Sequence, residues 1–382
     1  MANTITAIIP TLQDVAARVP REAAGFVNAC YKNTSAARAG YNQTVNYPIV
    51  PALSSASVTP TNVSSSGTDI TQAADSITMD NLKKVSWNWT GEQVRSLMNG
   101  DRSPYADIAK QTLEQAVRVL VNEIEAALWA EAYKSSSRAY GTAGTAPFGT
   151  AADFSDFAGV ARILDENGTP TTNRKLVLGS AAVNNLRAKQ SSLFKVNEAG
   201  SPEFLRQGSL GSVMGFDLFY SNPITTHTKG TGASYQLSAA GSAGDTSLSV
   251  DTGSGTILAG DLVTLATGST SYRYVVNTAL SGGAFSIGKP GLKVAEADNN
   301  AVTVGNNYTP NVAFEQNALH LVMRAPDDGM DGADDVATVQ DPNTGLVFQL
   351  ARYGQYMQSS WELRCLYGVK AVQTEFIATL IG

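Results

Sequence analysis

The chain has 382 residues, with 27 Lys and Arg against 33 Asp and Glu, a formal net charge of −6. Charged residues make up 16%, below the ~25% usual for a soluble domain, and so few cations exclude a protein that grips nucleic-acid phosphates. A hydrophobic fraction of 43% excludes wholesale disorder, and two His with two Cys leave little material for metal or triad chemistry.

Ser, Thr, Asn and 34 Gly stand where charge is missing. That composition suits a surface covered by neighbours, since interface cores are depleted in charge. It equally suits a secreted, β-rich adhesin. The first twenty residues have no basic n-region, no long apolar run and no small-residue cleavage site, so no secretory leader is expected there. No stretch approaches the ~20 apolar residues of a membrane span. A cytosolic setting follows, in which Cys30 and Cys365 are expected as small buried hydrophobes.

Residues 1–48 read as an arm with a short helix from Leu12 to about Val27, broken or kinked at Pro20. A Pro- and Ser-rich stretch runs from Pro48 to Thr68, and Ile77, Met79, Leu82, Val85, Trp87 and Trp89 follow, the last three alternating as in a strand. An extended hairpin with a mobile tip accounts for both. Ser103-Pro104 then places a helix N-cap before a first-turn Pro, with Asp107 opposing the dipole. Leu113, Val117, Leu120, Ile124 and Ala127 share one face; Asp107, Glu114, Arg118, Asn122 and Glu125 share the other. The helix is expected to run to about Lys134. Some 30 residues at ~1.5 Å each give ~45 Å, against a radius of gyration of only ~21 Å for a compact chain of this length. It is a spine.

A Gly/Ala/Thr-rich link over 141–150 leads to a mixed α/β segment. Lys175 to Gly179 reads as a buried strand, with Ser180 capping a helix through Val183, Leu186 and Leu193. Glycine turns from Gly208 lead into a strand whose Phe216, Leu218 and Tyr220 share a face. Composition changes near Thr225. From there to Tyr308 come six short strand candidates: Tyr235–Ser238, Ser247–Val250, Leu262–Leu265, Tyr272–Asn277, Phe285–Ile287 and Val302–Val304. Their cadence is that of a small antiparallel barrel or sandwich, inserted into a chain that resumes α/β character. Val312 to Arg324, an acidic loop through Asp335, and strands at Leu346–Arg352 and Trp361–Val372 close the chain.

Chemical motifs are few. Gly283 to Lys289 (GAFSIGK) matches seven positions of a phosphate-cradling loop, but Pro290 stands where Ser or Thr must hold Mg²⁺ and no helix follows, so a β-turn is the better account. The acidic run Asp327, Asp328, Asp331, Asp334 and Asp335 lacks the alternate ligands and the bidentate Glu of a calcium loop, and reads as a solvated or neighbour-facing loop with weak cation binding as the alternative. His227 and His320 have no nucleophile at a recognisable spacing. No cofactor, metal or catalytic residue is expected, and no enzyme.

Three stretches carry a family resemblance in joint order: GSLGSVMGFDLFYSNP at Gly208 to Pro223, AFEQNALHLVMRAP at Ala313 to Pro326, and ELRCLYGVKAV at Glu362 to Val372. With the opening at Ile5 to Leu12 and GYNQTVNYP at Gly40 to Pro48, the chain resembles the major capsid proteins of tailed bacteriophages with the Hong Kong 97 fold, of the type carrying an inserted β-barrel. The resemblance implies an α+β fold divided into an N-terminal arm (1–48), an extended loop (49–95), a spine helix of a peripheral domain (96–140), a peripheral and axial part (141–224), an inserted β-domain (225–308) and a return to the axial and peripheral domains (309–382). It implies self-assembly into hexamers and pentamers of an icosahedral shell enclosing double-stranded DNA, built in the host cytoplasm and ending in the virion. Implied partners are further copies of the chain, a separate scaffolding protein, a portal and a decoration protein, and no membrane. A nanocompartment shell of the encapsulin kind is the alternative within the fold. Trp87, Trp89, Asp327, Asp328 and Asp331 are the assembly-interface candidates, with both Trp expected to anchor the extended loop against a neighbour or the spine.

Overall fold

The computed structural model describes residues 13–15, 24–49, 73–93, 105–189, 211–267, 270–327, 332–341 and 344–382. Outside these lie Ser103 and Pro104, the Ser-rich stretch 54–66, Leu193, Asp328 and Asp331. The fold is α+β. Its first elements are a short helix α1 (Phe26–Ala29) and strands β1 (Tyr31–Ala39), β2 (Thr44–Ile49), β3 (Ala73–Thr78) and β4 (Asn81–Thr90). The arm helix expected from Leu12 to Val27 is helical at 13–15, while α1 begins at Phe26 and carries the helix beyond Val27.

Helix α2 (Tyr105–Lys134) has 30 residues, as its apolar periodicity predicts. Leu113, Val117, Leu120, Ile124 and Leu128 are buried in the largest core cluster of the described residues, each such side chain contributing ~2 kcal/mol. Ala127, given to the same face, is half-buried, and Glu125, given to the solvent face, is fully buried. The reason lies in what packs on the helix. A six-stranded sheet covers one side, and the 24–27 segment and Ser221 close over Glu125.

That sheet contains β1, β4, β16 (Leu319–Pro326), β17 (Asp335–Gln340), β18 (Val347–Gln355) and β19 (Gln358–Ala371). Its long strand β19 pairs with β18 along its first half, with β16 along its second, and with β4 on the opposite edge. The extended hairpin therefore differs from the sequence reading. Its two strands are β2 and β3, paired from Thr44↔Thr78 to Ile49↔Ala73. The Trp-bearing strand β4 instead joins the sheet, because Val85, Trp87 and Trp89 alternate toward the core under β19. Strand β17 occupies the end of the stretch read as an acidic loop, and the segment from Val312 to Arg324 is two strands split by a turn at Gln316–Ala318.

A second sheet begins with β5 (Arg138–Gly141) and continues, beyond helix α3 (Ser155–Glu166), with β6 (Arg174–Leu178), helix α4 (Ser180–Lys189), β7 (Ser212–Val213) and β8 (Phe216–Tyr220); β15 (Pro310–Glu315) and β20 (Ile377–Ile381) complete it in the order β5-β20-β15-β6-β8-β7. The continuous apolar run Leu176, Val177, Leu178 reflects cover on both faces. Val177 joins the spine core, while Leu176 and Leu178 join a second core under α3 and α4. Tyr220 shares the parity of Phe216 and Leu218 but is 43% exposed at the strand's end.

All six strand candidates between 235 and 304 are strands: β9 (Tyr235–Leu237), β10 (Ser247–Asp251), β11 (Leu262–Thr267), β12 (Thr270–Ser281), β13 (Ala284–Ile287) and β14 (Ala301–Val304). They pair antiparallel in the order β11-β14-β9-β10-β13-β12, and β11 pairs with β12, so the ring is closed. Alternation fills it: Leu248 and Val250 point inward between exposed Ser247, Ser249 and Asp251. Closure leaves these six strands no free edge along the ring. The ring meets the second sheet where Tyr274 of β12 pairs with Arg138 of β5.

Candidate assembly surfaces and buried polar sites

The two tryptophans singled out from sequence sit on one strand. Trp87 lies opposite Trp361 and Trp89 opposite Ser359, and both are half-buried against the core containing α2. Lys83 on the same strand reaches Glu123 of the helix at 3.6 Å across an exposed gap. Asp327 is exposed, and its N–H donates to the Ala39 carbonyl at 3.0 Å, linking the end of β16 to β1. Among the described residues, no group of three or more His, Cys, Asp or Glu is placed to hold a metal ion. The GAFSIGK stretch is a turn at Gly282 and Gly283 followed by β13, with no helix after it.

Both histidines have partners that sequence spacing concealed. His227 is buried where the chain enters the ring and pairs with Tyr308, where it leaves, through His227 N–H to Tyr308 O at 2.8 Å. Its Nε2 is 2.9 Å from Asp261 Oδ1. A carboxylate only accepts, so Nε2 carries the hydrogen, and Nδ1 lies 3.3 Å from the Tyr133 hydroxyl, from which a neutral imidazole accepts. Asp261 also accepts from the Gly230 and Leu258 N–H groups, at 3.0 and 2.7 Å. The cluster thus ties the last turn of α2 to both crossings of the ring. Every polar atom named in it is engaged within the fold, and it is an anchor. Tyr133→Phe removes one hydrogen bond without leaving a void, and should lower unfolding free energy by about 1 kcal/mol, read from urea denaturation.

His320 stands in β16 with its ring 4.6 Å from that of Tyr31 and 5.7 Å from that of Tyr47. Burial pushes its imidazole below the usual range. Tyr47 in turn donates to Asp75 Oδ2 at 2.6 Å, and Lys370 Nζ reaches the same oxygen at 2.7 Å. The Lys370 and Tyr47 hydrogen bonds hold the Asp75 carboxyl down at about 2. Together these contacts pin the β2–β3 ribbon to the six-stranded sheet.

Two polar sites escaped the sequence reading. Glu125, 0% exposed, accepts from Phe26 N–H at 3.0 Å, Val27 N–H at 2.6 Å and Ser221 Oγ–H at 2.6 Å. Burial pushes its carboxyl above the ordinary range despite these donors. Gly25 is part of the fit, because a Cβ there would lie 2.3 Å from the Tyr220 carbonyl oxygen. The second is Arg138, buried at the joint between ring and sheet, whose guanidinium donates to Glu166 at 2.7 Å and Asn167 Oδ1 at 2.9 Å. Both depend on partners far off in sequence, and no local signal marks either. The cysteines are free and buried, and burial pushes both thiols up to about 12.

Comparison with known proteins separates sequence from structure. No protein-family model and no curated protein matches the chain. Solved structures similar to it include the capsid of the cyanophage P-SCSP1u (11% identity, 92% of this chain and 86% of that chain, TM-score 0.48) and the mature capsid of bacteriophage PhiM1 (12%, 93% and 86%, TM-score 0.46). A virus-like particle from Pyrococcus furiosus is similar at 8% identity over 97% of this chain and 98% of that chain, with a TM-score of 0.44. None of the described helices is long and apolar enough to cross a membrane.

Proposed function

We propose that this chain is the major capsid protein of a tailed bacteriophage, a non-enzymatic subunit that closes an icosahedral shell of hexamers and pentamers around double-stranded DNA. The observation that carries the proposal is the order of parts along one chain. An arm held by Glu125 comes first, then the β2–β3 ribbon, the 30-residue spine helix, and a second sheet into which a closed six-stranded ring is spliced between β8 and β15. The three motif stretches fall on β7–β8 in the second sheet, on β15–β16, where the chain passes from the second sheet to the six-stranded one, and on β19, the long strand of the latter.

Physical chemistry supports the same reading. Any part of the arm and extended loop that lies across a neighbour recovers its ordering entropy in that contact. A charge fraction of 16% suits a subunit whose surface is largely covered in the assembly. Within this reading the chain divides near residues 48, 95, 140, 224 and 308 into arm, loop, spine, axial and peripheral parts and inserted β-domain. A scaffolding protein directs the first shell, a portal occupies one vertex, and a decoration protein docks outside. Assembly takes place in the host cytoplasm.

The test is expression of the full chain with and without the products of neighbouring genes, followed by electron microscopy. Closed shells of uniform diameter are the expected result. A chain that stays monomeric in every combination refutes the reading, and shells filled with a cargo enzyme instead of DNA transfer it to a nanocompartment.

A further inference from the structure

The turn joining β18 to β19 breaks two rules of surface chemistry at once. A two-residue connection with positive φ at its second position is ordinarily built from Gly or Asn. Here it is Tyr356-Met357, with Met357 at φ 56°, a conformation that bulky side chains rarely adopt. Tyr356 is 91% and Met357 67% exposed, the two highest values among the exposed large hydrophobic residues described. The turn is nevertheless fixed, since Gly91 N–H donates to the Met357 carbonyl at 3.0 Å and Gln355 pairs with Gln358. A strained, apolar and pre-organised tip costs the isolated chain stability and solubility, and such outliers point to function.

The same molecule carries a recess of matching character. A cavity of 480 Å³ opens between the β2–β3 ribbon and β16, walled by Tyr31, Tyr47 and His320 with Val45, Val322 and Val372. Amide side chains complete it, and none of its lining residues is a Lys, Arg, Asp or Glu. Its size falls in the range that takes a bound group of a few large side chains. The wall is preset: Tyr47 is held by Asp75, and Lys370 lies 5.8 Å from its ring centroid. Aromatic and amide groups are what a Tyr and a Met ask of a partner.

We propose that the Tyr356-Met357 tip of one copy seats in the Tyr31–Tyr47–His320 recess of a second copy. The contact rests on the shell reading and names one of its interfaces. Knob and recess lie at opposite ends of β19, and a head-to-tail repeat of the contact closes into a ring when the rotation allows. Area is not what carries it. A rigid aromatic anchor in a preformed pocket is the arrangement in which a few residues supply most of the binding energy.

The test uses the full chain and two variants. Tyr356→Asn with Met357→Gly gives the turn its preferred residues, so the isolated chain should unfold at the same or higher urea concentration while shell yield falls roughly tenfold. A merely structural role predicts no loss of assembly from a turn that has been relaxed. Met357→Cys with Asn46→Cys should give covalent multimers on oxidation, with the 46–357 linkage found by mass spectrometry; the native thiols are buried and unreactive. Shells formed equally well by the Asn-Gly variant, or shells without the 46–357 linkage, overturn this contact and leave the shell reading standing. No shells from the parent chain in any combination overturn both.

Discussion

Glu125→Ala should unfold at a much lower urea concentration than the parent, with a loss of about 3–5 kcal/mol at neutral pH. The substitution leaves Phe26 N–H, Val27 N–H and Ser221 Oγ–H without their acceptor in a site that water does not reach. Each orphaned donor costs about 1–3 kcal/mol, and the void left by the side chain adds to the loss. Glu125→Gln keeps the shape and one acceptor oxygen. Its amide nitrogen suits Ser221 Oγ but opposes one backbone N–H, so the expected loss is smaller, about 1–2 kcal/mol. The arm should report the difference locally. Amide exchange at residues 26 and 27 should accelerate in both variants, more in Ala, while that of the ring strands stays unchanged. Uniform acceleration through the whole chain would argue against a local clamp.

The pH dependence of that pair has a definite sign. Burial raises the Glu125 carboxyl above its ordinary range, so the folded chain takes up this proton at higher pH than the unfolded chain does. The group's contribution to stability therefore increases as pH falls from the raised value toward the ordinary carboxylate range. Glu125→Gln has no such proton to bind. Its deficit relative to the parent should widen on acidification through that window, and a deficit that narrows would mean that the donors outweigh burial.

Much of the architecture is legible in the sequence, and the reason is period. Helix α2 shows itself because a stripe of Leu, Val and Ile at helical spacing needs a partner surface along its whole length. Ring strands β9, β10, β13 and β14 show themselves because each is half-buried in a closed wall, so inward and outward residues alternate, while β11 and β12 bury both faces at 262–263 and 274–276 and show as short apolar runs between turn residues. Where strands lack that asymmetry the signal fades. Strand β1, with sequence YKNTSAARA, is largely polar and is placed by parallel pairing with β16, nearly 290 residues away. Strand β20 is buried at every position and short, and shows no alternation to read. The alternation of Val85, Trp87 and Trp89 announces a strand but not the sheet it joins, because register is set by β19. Polar sites are the least legible. Glu125 reads as a solvent-facing helix residue until α1 is seen lying over it, and His227 looks solitary until Tyr133 and Asp261 are brought to it.

Arg138→Ala should produce the opposite pH signature just past the C-terminal end of the spine. Arg138 is buried where the closed ring joins the second sheet, and its guanidinium meets Glu166, Asn167 and the Ile163 carbonyl. Asn167 passes the connection on to Ser137 Oγ and the Glu375 carbonyl, at 3.0 and 2.7 Å. Removing the arginine breaks this network and the ion pair together. A fully buried pair broken in this way costs about 3–5 kcal/mol, but the Glu166 side chain is 32% exposed and solvent screens part of the interaction, so about 2–3 kcal/mol is expected. Burial alone would raise the Glu166 carboxyl; the Arg138 hydrogen bond and the charges of Arg138, Lys293 and Arg162 outweigh it and hold the group below its ordinary range. The contribution is then present above the ordinary carboxylate range and lost as pH falls through the lowered value. The deficit of Arg138→Ala should accordingly be largest near neutrality and shrink in acid, the reverse of Glu125→Gln. Arg138→Lys should recover the charge but not the fork that serves Glu166 and Asn167 together, and restore about half of the loss. Because Tyr274 pairs with Arg138 across the joint, exchange of the β12 amides should rise in Arg138→Ala before that of the spine helix does. Equal protection of β12 in parent and variant would show that strand pairing alone holds the ring to the sheet.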